Sequence, residues 1–243
     1  MQRRIIAPLL LVGLVLLAGC LSPLQAAPGE SANSTNATTI SATGTGEVTA
    51  DADLAVVNIA VTHTADSADE ARGTVADNVS AVRTALTDAG IAEDDIQTTG
   101  FTIRPEYDHG GEKRELVGYR AVHTLSVEVA PDRAGEVIDL AVGAGASEVQ
   151  NVRFTLTDET RAELRSEALT KAVESAKADA DDVATASDLT VTGVQTATVG
   201  GSNSPGPYPV AFEDARTTSG APTELTPGPV TVSATVEVVY TAE

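Results

Sequence analysis

Three histidines are the side chains best suited to acid–base or metal chemistry near neutral pH, and they stand at positions 63, 109 and 123. None lies in an HExxH motif or a comparable ligand spacing. His63 and His123 fall on the apolar parity of two predicted strands, so neighbouring strands could bring both rings into one site. The alternative is that each ring is half-buried and hydrogen-bonded to backbone. His109 is expected in a solvated turn.

Motifs for nucleophilic, nucleotide or calcium chemistry are absent from the sequence. There is no GxSxG elbow and no GxxxxGK[ST] loop. Gly44-Thr-Gly46 lacks the third glycine of a dinucleotide fingerprint and opens a predicted strand, so we expect close backbone packing within a sheet. Asp179, Asp181 and Asp182 lie on a predicted helix without the glycine and glutamate of an EF-hand, which predicts a solvated acidic face. We therefore predict no catalytic residue, no metal site and no cofactor.

The single cysteine, Cys20, closes an export signal. Arg3 and Arg4 precede an apolar run from Ile5 to Leu17, and small residues stand just before the cysteine, an order typical of a secretory signal. The run is shorter than the roughly 20 residues of a membrane-spanning helix. The pattern resembles a lipobox, which implies that Cys20 is lipidated and anchors the protein to the outer face of the cell membrane. Sec and twin-arginine export both remain open, and the alternative is an uncleaved anchor with a buried free cysteine.

Acidic residues dominate the charge, because 35 Asp and Glu against 15 Lys and Arg give a formal net charge of −20. Cleavage after residue 19 removes two arginines and no acid, which changes that charge to −22. Such a surface repels a phosphate backbone, so nucleic acid is excluded as a partner. The scarcity of lysine is typical of an extreme halophile, where salt screens the self-repulsion, and an archaeal source follows from that interpretation. The alternative is a mesophilic acidic protein with cationic partners.

The chain divides into a signal peptide at residues 1–19, a flexible tether at residues 20–39 and one folded domain at residues 40–243. The tether is rich in Ser, Thr and Asn and has no apolar period. It carries glycosylation sequons at Asn33 and Asn36, so both asparagines are candidate modification sites.

A long loop is predicted within the domain, at residues 200–228, and its length exceeds that of a plain connection. The loop contains Tyr208 and Phe212 in a chain with four tyrosines, three phenylalanines and no tryptophan. These two aromatics are candidate contacts for a partner or a neighbouring subunit. The alternative is a disordered insertion whose aromatics fold back on the body.

Apolar periodicity predicts seven strands and three helices. The strands are predicted at residues 40–48, 54–64, 96–107, 116–130, 149–156, 191–199 and 230–240, and the helices at 68–89, 131–142 and 158–187. The first two strands are expected to form a hairpin. Ser67 and Glu70 have the spacing of a capping box at the first helix. The order predicts an α+β fold in which two long helices and one short helix pack on a mostly antiparallel sheet.

Several segments resemble the SIMPL (DUF541) domain family over residues 40–243. They are Ile40–Val48 followed by Asp53–Val57, Gly118–Ala121 leading into a long strand, the strand Val149–Phe154, the Ala-rich helix Ala168–Ala184 and the closing Pro227–Val236. The resemblance implies an envelope protein of α+β fold, often exported, with no established catalytic residues. It also implies large rings in some members, and roles loosely tied to stress tolerance and surface antigens.

Together these features favour a non-enzymatic cell-surface lipoprotein that acts by self-association or by contact with other envelope proteins. The alternative is a ligand- or cation-binding module of the envelope that uses acidic clusters or the two strand histidines. A hydrolase with an unrecognised site is the third hypothesis.

Overall fold

The computed structural model describes residues 38–108, 115–200 and 222–243. In these ranges the elements are β1 (Thr38–Asp51), β2 (Leu54–Ala65), α1 (Ala68–Asp88), β3 (Ile96–Asp108), β4 (Glu115–Val129), α2 (Ala134–Gly143), β5 (Glu148–Thr155), α3 (Asp158–Ala186), β6 (Val191–Val199) and β7 (Pro229–Ala242). Single turns of 3-10 helix, Glu93–Asp95 and Pro131–Arg133, precede β3 and α2. The predicted α+β class and the order of the strands and helices are confirmed.

The strands form two antiparallel sheets, with strand orders β3-β4-β2-β5 and β1-β7-β6. The predicted hairpin of the first two strands is wrong. β1 pairs with β7 along its whole length, from Thr38 opposite Ala242 to Asp51 opposite Pro229, whereas β2 lies between β4 and β5. The physical reason is that the buried faces of the two strands differ. The buried face of β1 includes glycines, which allow a helix to pack closely against it, whereas the buried face of β2 carries large branched side chains. The two strands therefore need different partners.

The four-stranded sheet has one face covered by α1 and α2, and the main core lies there. Its large, fully buried side chains are Val57, Ile59, Val61, Val75, Val82, Leu86, Leu125, Val127 and Val137. Burying each such side chain stabilises the fold by about 1.5–3 kcal/mol. The predicted cap of α1 is confirmed in part, since Ser67 Oγ accepts a hydrogen bond from the Glu70 amide at 3.2 Å.

The three-stranded sheet is covered by α3, which lies very close to β1. Five alanines spaced four residues apart face the sheet and are buried: Ala168, Ala172, Ala176, Ala180 and Ala184. A Cβ atom at Gly44 would fall against the Ala172 carbonyl oxygen and 2.5 Å from the Ala176 nitrogen. The glycines therefore permit close packing of a strand against a helix, and not the packing within a sheet that the sequence predicted.

The end of the predicted long loop packs on α2. Asp139 accepts two hydrogen bonds from Thr223, from the amide at 3.1 Å and from the hydroxyl at 2.7 Å. A Cβ atom at Gly135 would meet the Thr223 carbonyl oxygen, and Leu225 packs against the main core. Residues 222–228 are thus fixed to the four-stranded half before β7 enters the other sheet. The rest of that loop, with Tyr208 and Phe212, lies outside the described residues.

Candidate functional site

A cleft of about 780 Å³ lies where the uncovered face of the four-stranded sheet meets the beginnings of α3 and β7. Its volume is within the range of small-molecule sites. Leu54 and Val56 of β2 line it, and Val56 is only 5% exposed. Residues 230–232 of β7 form part of the opposite side. The cleft therefore combines an apolar floor with walls drawn from both halves of the fold.

One wall is held in place by Asp53, the residue just before β2. Its carboxylate accepts hydrogen bonds from the Thr157 amide at 2.7 Å, the Thr157 hydroxyl at 2.9 Å and the Thr160 hydroxyl at 2.5 Å. Desolvation alone would raise the pKa of Asp53, but the hydrogen bonds from Thr160 and Thr157 outweigh it and hold the pKa below its usual value. Thr157 is also the N-cap of α3. These contacts fix the first turn of α3 relative to β2.

In the described part of the chain, two arginines line the cleft: Arg161 is hydrogen-bonded to neighbouring residues, and Arg153 is not. Arg161 donates to Asp158 at 3.1 Å, to the Thr155 hydroxyl at 3.1 Å and to the Leu156 carbonyl at 2.9 Å. Arg153, on β5, makes no hydrogen bond or ion pair within the described residues. Its guanidinium is therefore available to a ligand, whereas that of Arg161 is already engaged.

An unpaired carboxylate stands on the other side of the floor. Val56 is in register with Glu128 of β4 and with Arg153 of β5, so the three side chains share one face of the sheet. Glu128 also has no hydrogen bond or ion pair in the part of the chain that the structure describes. With strands about 4.8 Å apart, the Cα atoms of Glu128 and Arg153 are about 10 Å apart. Asp95 lines the cleft as well and adds a second carboxylate.

The two strand histidines lie on the predicted parity, on neighbouring strands. His63 is opposite Ala121 and His123 is opposite Val61, which makes the two residues diagonal neighbours on the helix-covered face. His123 Nε2 is 2.9 Å from the Thr98 hydroxyl, so its partner is a side chain and not the backbone. Burial lowers the pKa of His123 below its usual value, and the charge of Arg83 lowers it further.

The remaining sites predicted from the sequence divide by location. Asp179, Asp181 and Asp182 lie on α3, and Asp181 pairs with Lys177 at 2.5 Å. Among the described residues no group of three or more His, Cys, Asp or Glu could hold a metal ion. The same residues contain no helix long and apolar enough to cross a membrane.

The candidate sites Cys20, Asn33 and Asn36 and the predicted turn residue His109 lie outside the described residues, as Tyr208 and Phe212 do. The sequence reasoning did not single out Glu128 or Arg153. Each sits on the polar parity of its strand, as a solvated residue does. Glu128 and Arg153 lie in register on either side of Val56, and this follows from strand pairing that the sequence does not reveal.

Comparison with known proteins gives one family and relatives from bacteria. The profile described as "SIMPL: Protein of unknown function (DUF541)" matches residues 40–240. The 26 kDa periplasmic immunogenic protein of Brucella melitensis is 30% identical over 181 residues, which cover 72% of this chain and 71% of that protein. The uncharacterized protein YggE of Escherichia coli K12 is 33% identical over 110 residues, 45% of each chain.

Proposed function

The chain belongs to the SIMPL family, whose function is unknown, and we propose that it is an exported, non-enzymatic lipoprotein of the cell surface. It acts by self-association or by contact with other envelope proteins, in a stress-related role. The export signal ending at Cys20 supports lipid anchoring, and the periplasmic name of the Brucella relatives supports export. The acidic, lysine-poor composition supports a halophilic, archaeal setting.

The observation that carries the contact function is the edge strand β6. Among the described strands it pairs only with β7, so no described strand pairs with the backbone groups of its other edge. Its sequence, VTGVQTATV, has neither a charge nor a proline, although 21% of the chain is charged. Val194 is 61% exposed and Val199 is 54% exposed. Edge strands of monomeric proteins are normally protected by charge or proline, and an unprotected edge is a surface for adding a strand.

The test is the solution mass of the purified full chain at molar salt, by light scattering or mass photometry. We expect an oligomer that dissociates when Val194 and Val199 are both replaced by Lys, because two charges on the edge oppose strand addition. Val173→Lys is the matched control, since Val173 is an exposed valine on α3 and its replacement should leave the mass unchanged.

A photo-crosslinker at position 194 tests contact with other envelope proteins in intact cells. A monomeric chain that also forms no crosslink from position 194 would contradict the proposed contact function. An oligomer unaffected by the two lysines would contradict the role of β6. Parallel substitution of Tyr208 and Phe212 by Ala tests whether those two candidate contacts contribute to the mass.

Lipid anchoring has its own test. Cys20→Ser removes the proposed acceptor of the lipid, so the protein should leave the membrane fraction. Retention of this variant in the membrane would favour the uncleaved anchor. Asn33→Gln and Asn36→Gln should each raise the gel mobility of the secreted protein if the sequons are used.

A further inference from the structure

We infer that the cleft at the junction of the two sheets binds a small zwitterion, with the carboxylate of the ligand on Arg153 and its ammonium group on Glu128. This inference is independent of the strand contact proposed for β6, because no residue of β6 lines the cleft. Three observations carry it: a concave site of ligand size, two opposite charges without partners, and a buried apolar residue between them.

Arg161, at the start of α3, has hydrogen-bond partners, whereas Arg153 and Glu128 in the same cleft have none within the described residues. The ion pairs in the described ranges are all between residues three or four apart in sequence, such as Arg161 with Asp158. Arg153 and Glu128 form no ion pair with each other in the structure, and Val56 lies between them on the same face. The sheet therefore presents a cation and an anion on one face, with their Cα atoms about 10 Å apart.

The distance between Arg153 and Glu128 limits the length of the ligand. The two Cα atoms are about 10 Å apart across three strands. If both side chains stand upright, a charged contact of about 2.8 Å at each end leaves roughly 4 Å between the charged groups of the ligand. An amine and a carboxylate separated by one or two carbon atoms span that distance. The class of ligand is therefore a small amino acid, and the methylene groups would lie over Val56.

The surroundings favour a dipolar ligand over a simple ion. Asp53, Asp95 and Asp158 add negative charge among the lining residues, and Arg161 adds positive charge. A lone cation would meet Arg153, and a lone anion would meet Glu128 and Asp95. A zwitterion in one orientation places a charge of opposite sign against both Arg153 and Glu128.

The experiment uses β-alanine as the probe, with propionate and propylammonium as analogues that each lack one charge. Binding to the purified full chain is measured by isothermal titration calorimetry and by ligand-observed NMR, at the salt concentration where circular dichroism shows the chain folded. We expect β-alanine to bind and each analogue to bind at least about tenfold more weakly.

Two substitutions locate the site. Arg153→Gln and Glu128→Gln should each weaken β-alanine binding by at least about tenfold, because each removes one of the two charged contacts. Arg120→Gln is the matched control: Arg120 is a strand arginine without a partner in the described residues, it lies on the same face, and it does not line the cleft. It should leave β-alanine binding unchanged, and circular dichroism should show all three variants folded.

The inference is overturned if β-alanine gives neither heat nor an NMR effect up to its solubility. It is equally overturned if propionate binds as tightly as β-alanine, since the site would then recognise an anion alone, or if Arg153→Gln binds β-alanine as the unmodified chain does. These outcomes concern the cleft only. Failure of the β6 contact would appear as an unchanged solution mass, so the two proposals fail separately.

Discussion

Replacement of Gly44 by Ala should destabilise the protein more than its single added methyl group would suggest. The new Cβ atom would fall against the Ala172 carbonyl oxygen and lie 2.5 Å from the Ala176 nitrogen and 2.9 Å from its Cβ atom. Two of these three atoms are backbone atoms of α3, so no side-chain rotation relieves the contact. The helix must move away from β1 as a body.

The size of the effect follows from that displacement. Overpacking a core typically costs about 1–3 kcal/mol, and we place Gly44→Ala at about 3 kcal/mol because backbone must yield. In a domain of this size each kcal/mol lowers the melting temperature by about 2–4 °C, so the expected loss is about 6–12 °C. Gly46→Ala should behave alike, since its Cβ atom would meet the backbone of Ala168 and Ala172.

Gly73→Ala is the matched control, because it makes the same chemical change on α1 with nothing within 4 Å of the added Cβ atom. Alanine is favoured over glycine inside a helix by about 0.5–1 kcal/mol, so this variant should melt at or above the temperature of the unmodified chain. The assay is thermal unfolding followed by circular dichroism at molar salt. If Gly44→Ala melts as high as Gly73→Ala, the close approach of β1 and α3 is wrong.

Three further predictions concern Asp53, His123 and Asp139. Asp53→Asn should lower the free energy of unfolding near neutral pH and make that free energy depend less on pH in the acid range. A carboxylate whose pKa is lowered in the folded state stabilises the protein above its usual pKa, and this contribution is lost as the pH falls through the folded-state pKa. Urea unfolding at several pH values measures the difference. For His123, the lowered pKa predicts full stability above about pH 6.5 and a loss as pH falls towards the folded value, and Arg83→Ala should raise the pKa of the ring in an NMR titration. Asp139→Ala should expose residues 222–228 to limited proteolysis, because it removes both hydrogen bonds to that segment, whereas a cleavage pattern identical to that of the unmodified chain would contradict the packing of that segment on α2.

Local pattern was enough to predict the elements of this fold. The alternating residues of β1 and the four-residue alanine repeat of α3 each fix a buried face, and the structure places those faces as expected. Gly44 and Gly46, two positions apart on that face, also carried a signal for close approach. The signal could not say whether a strand or a helix would approach, so the wrong neighbour was predicted.

Strand partners could not be predicted, because alternation identifies the buried face of a strand and says nothing about its neighbour. Thr38 and Ala242 are paired across nearly the whole sequence, and no local pattern encodes that contact. The cleft was missed for the same reason. Glu128 and Arg153 become one site only once β2 is known to lie between their strands.

The pairing of β1 with β7 has a consequence for how the chain folds. The four-stranded sheet is built from one continuous stretch, residues 54–155, whereas the three-stranded sheet joins the first and the last described strands. Loop closure over such a separation is slow. The four-stranded sheet of residues 54–155 can therefore form while β1 still has no strand paired with it. β1 stays without its strand partner until β7, the last described strand, is available to pair with it. The pairing of β1 with β7 is therefore a late step in folding.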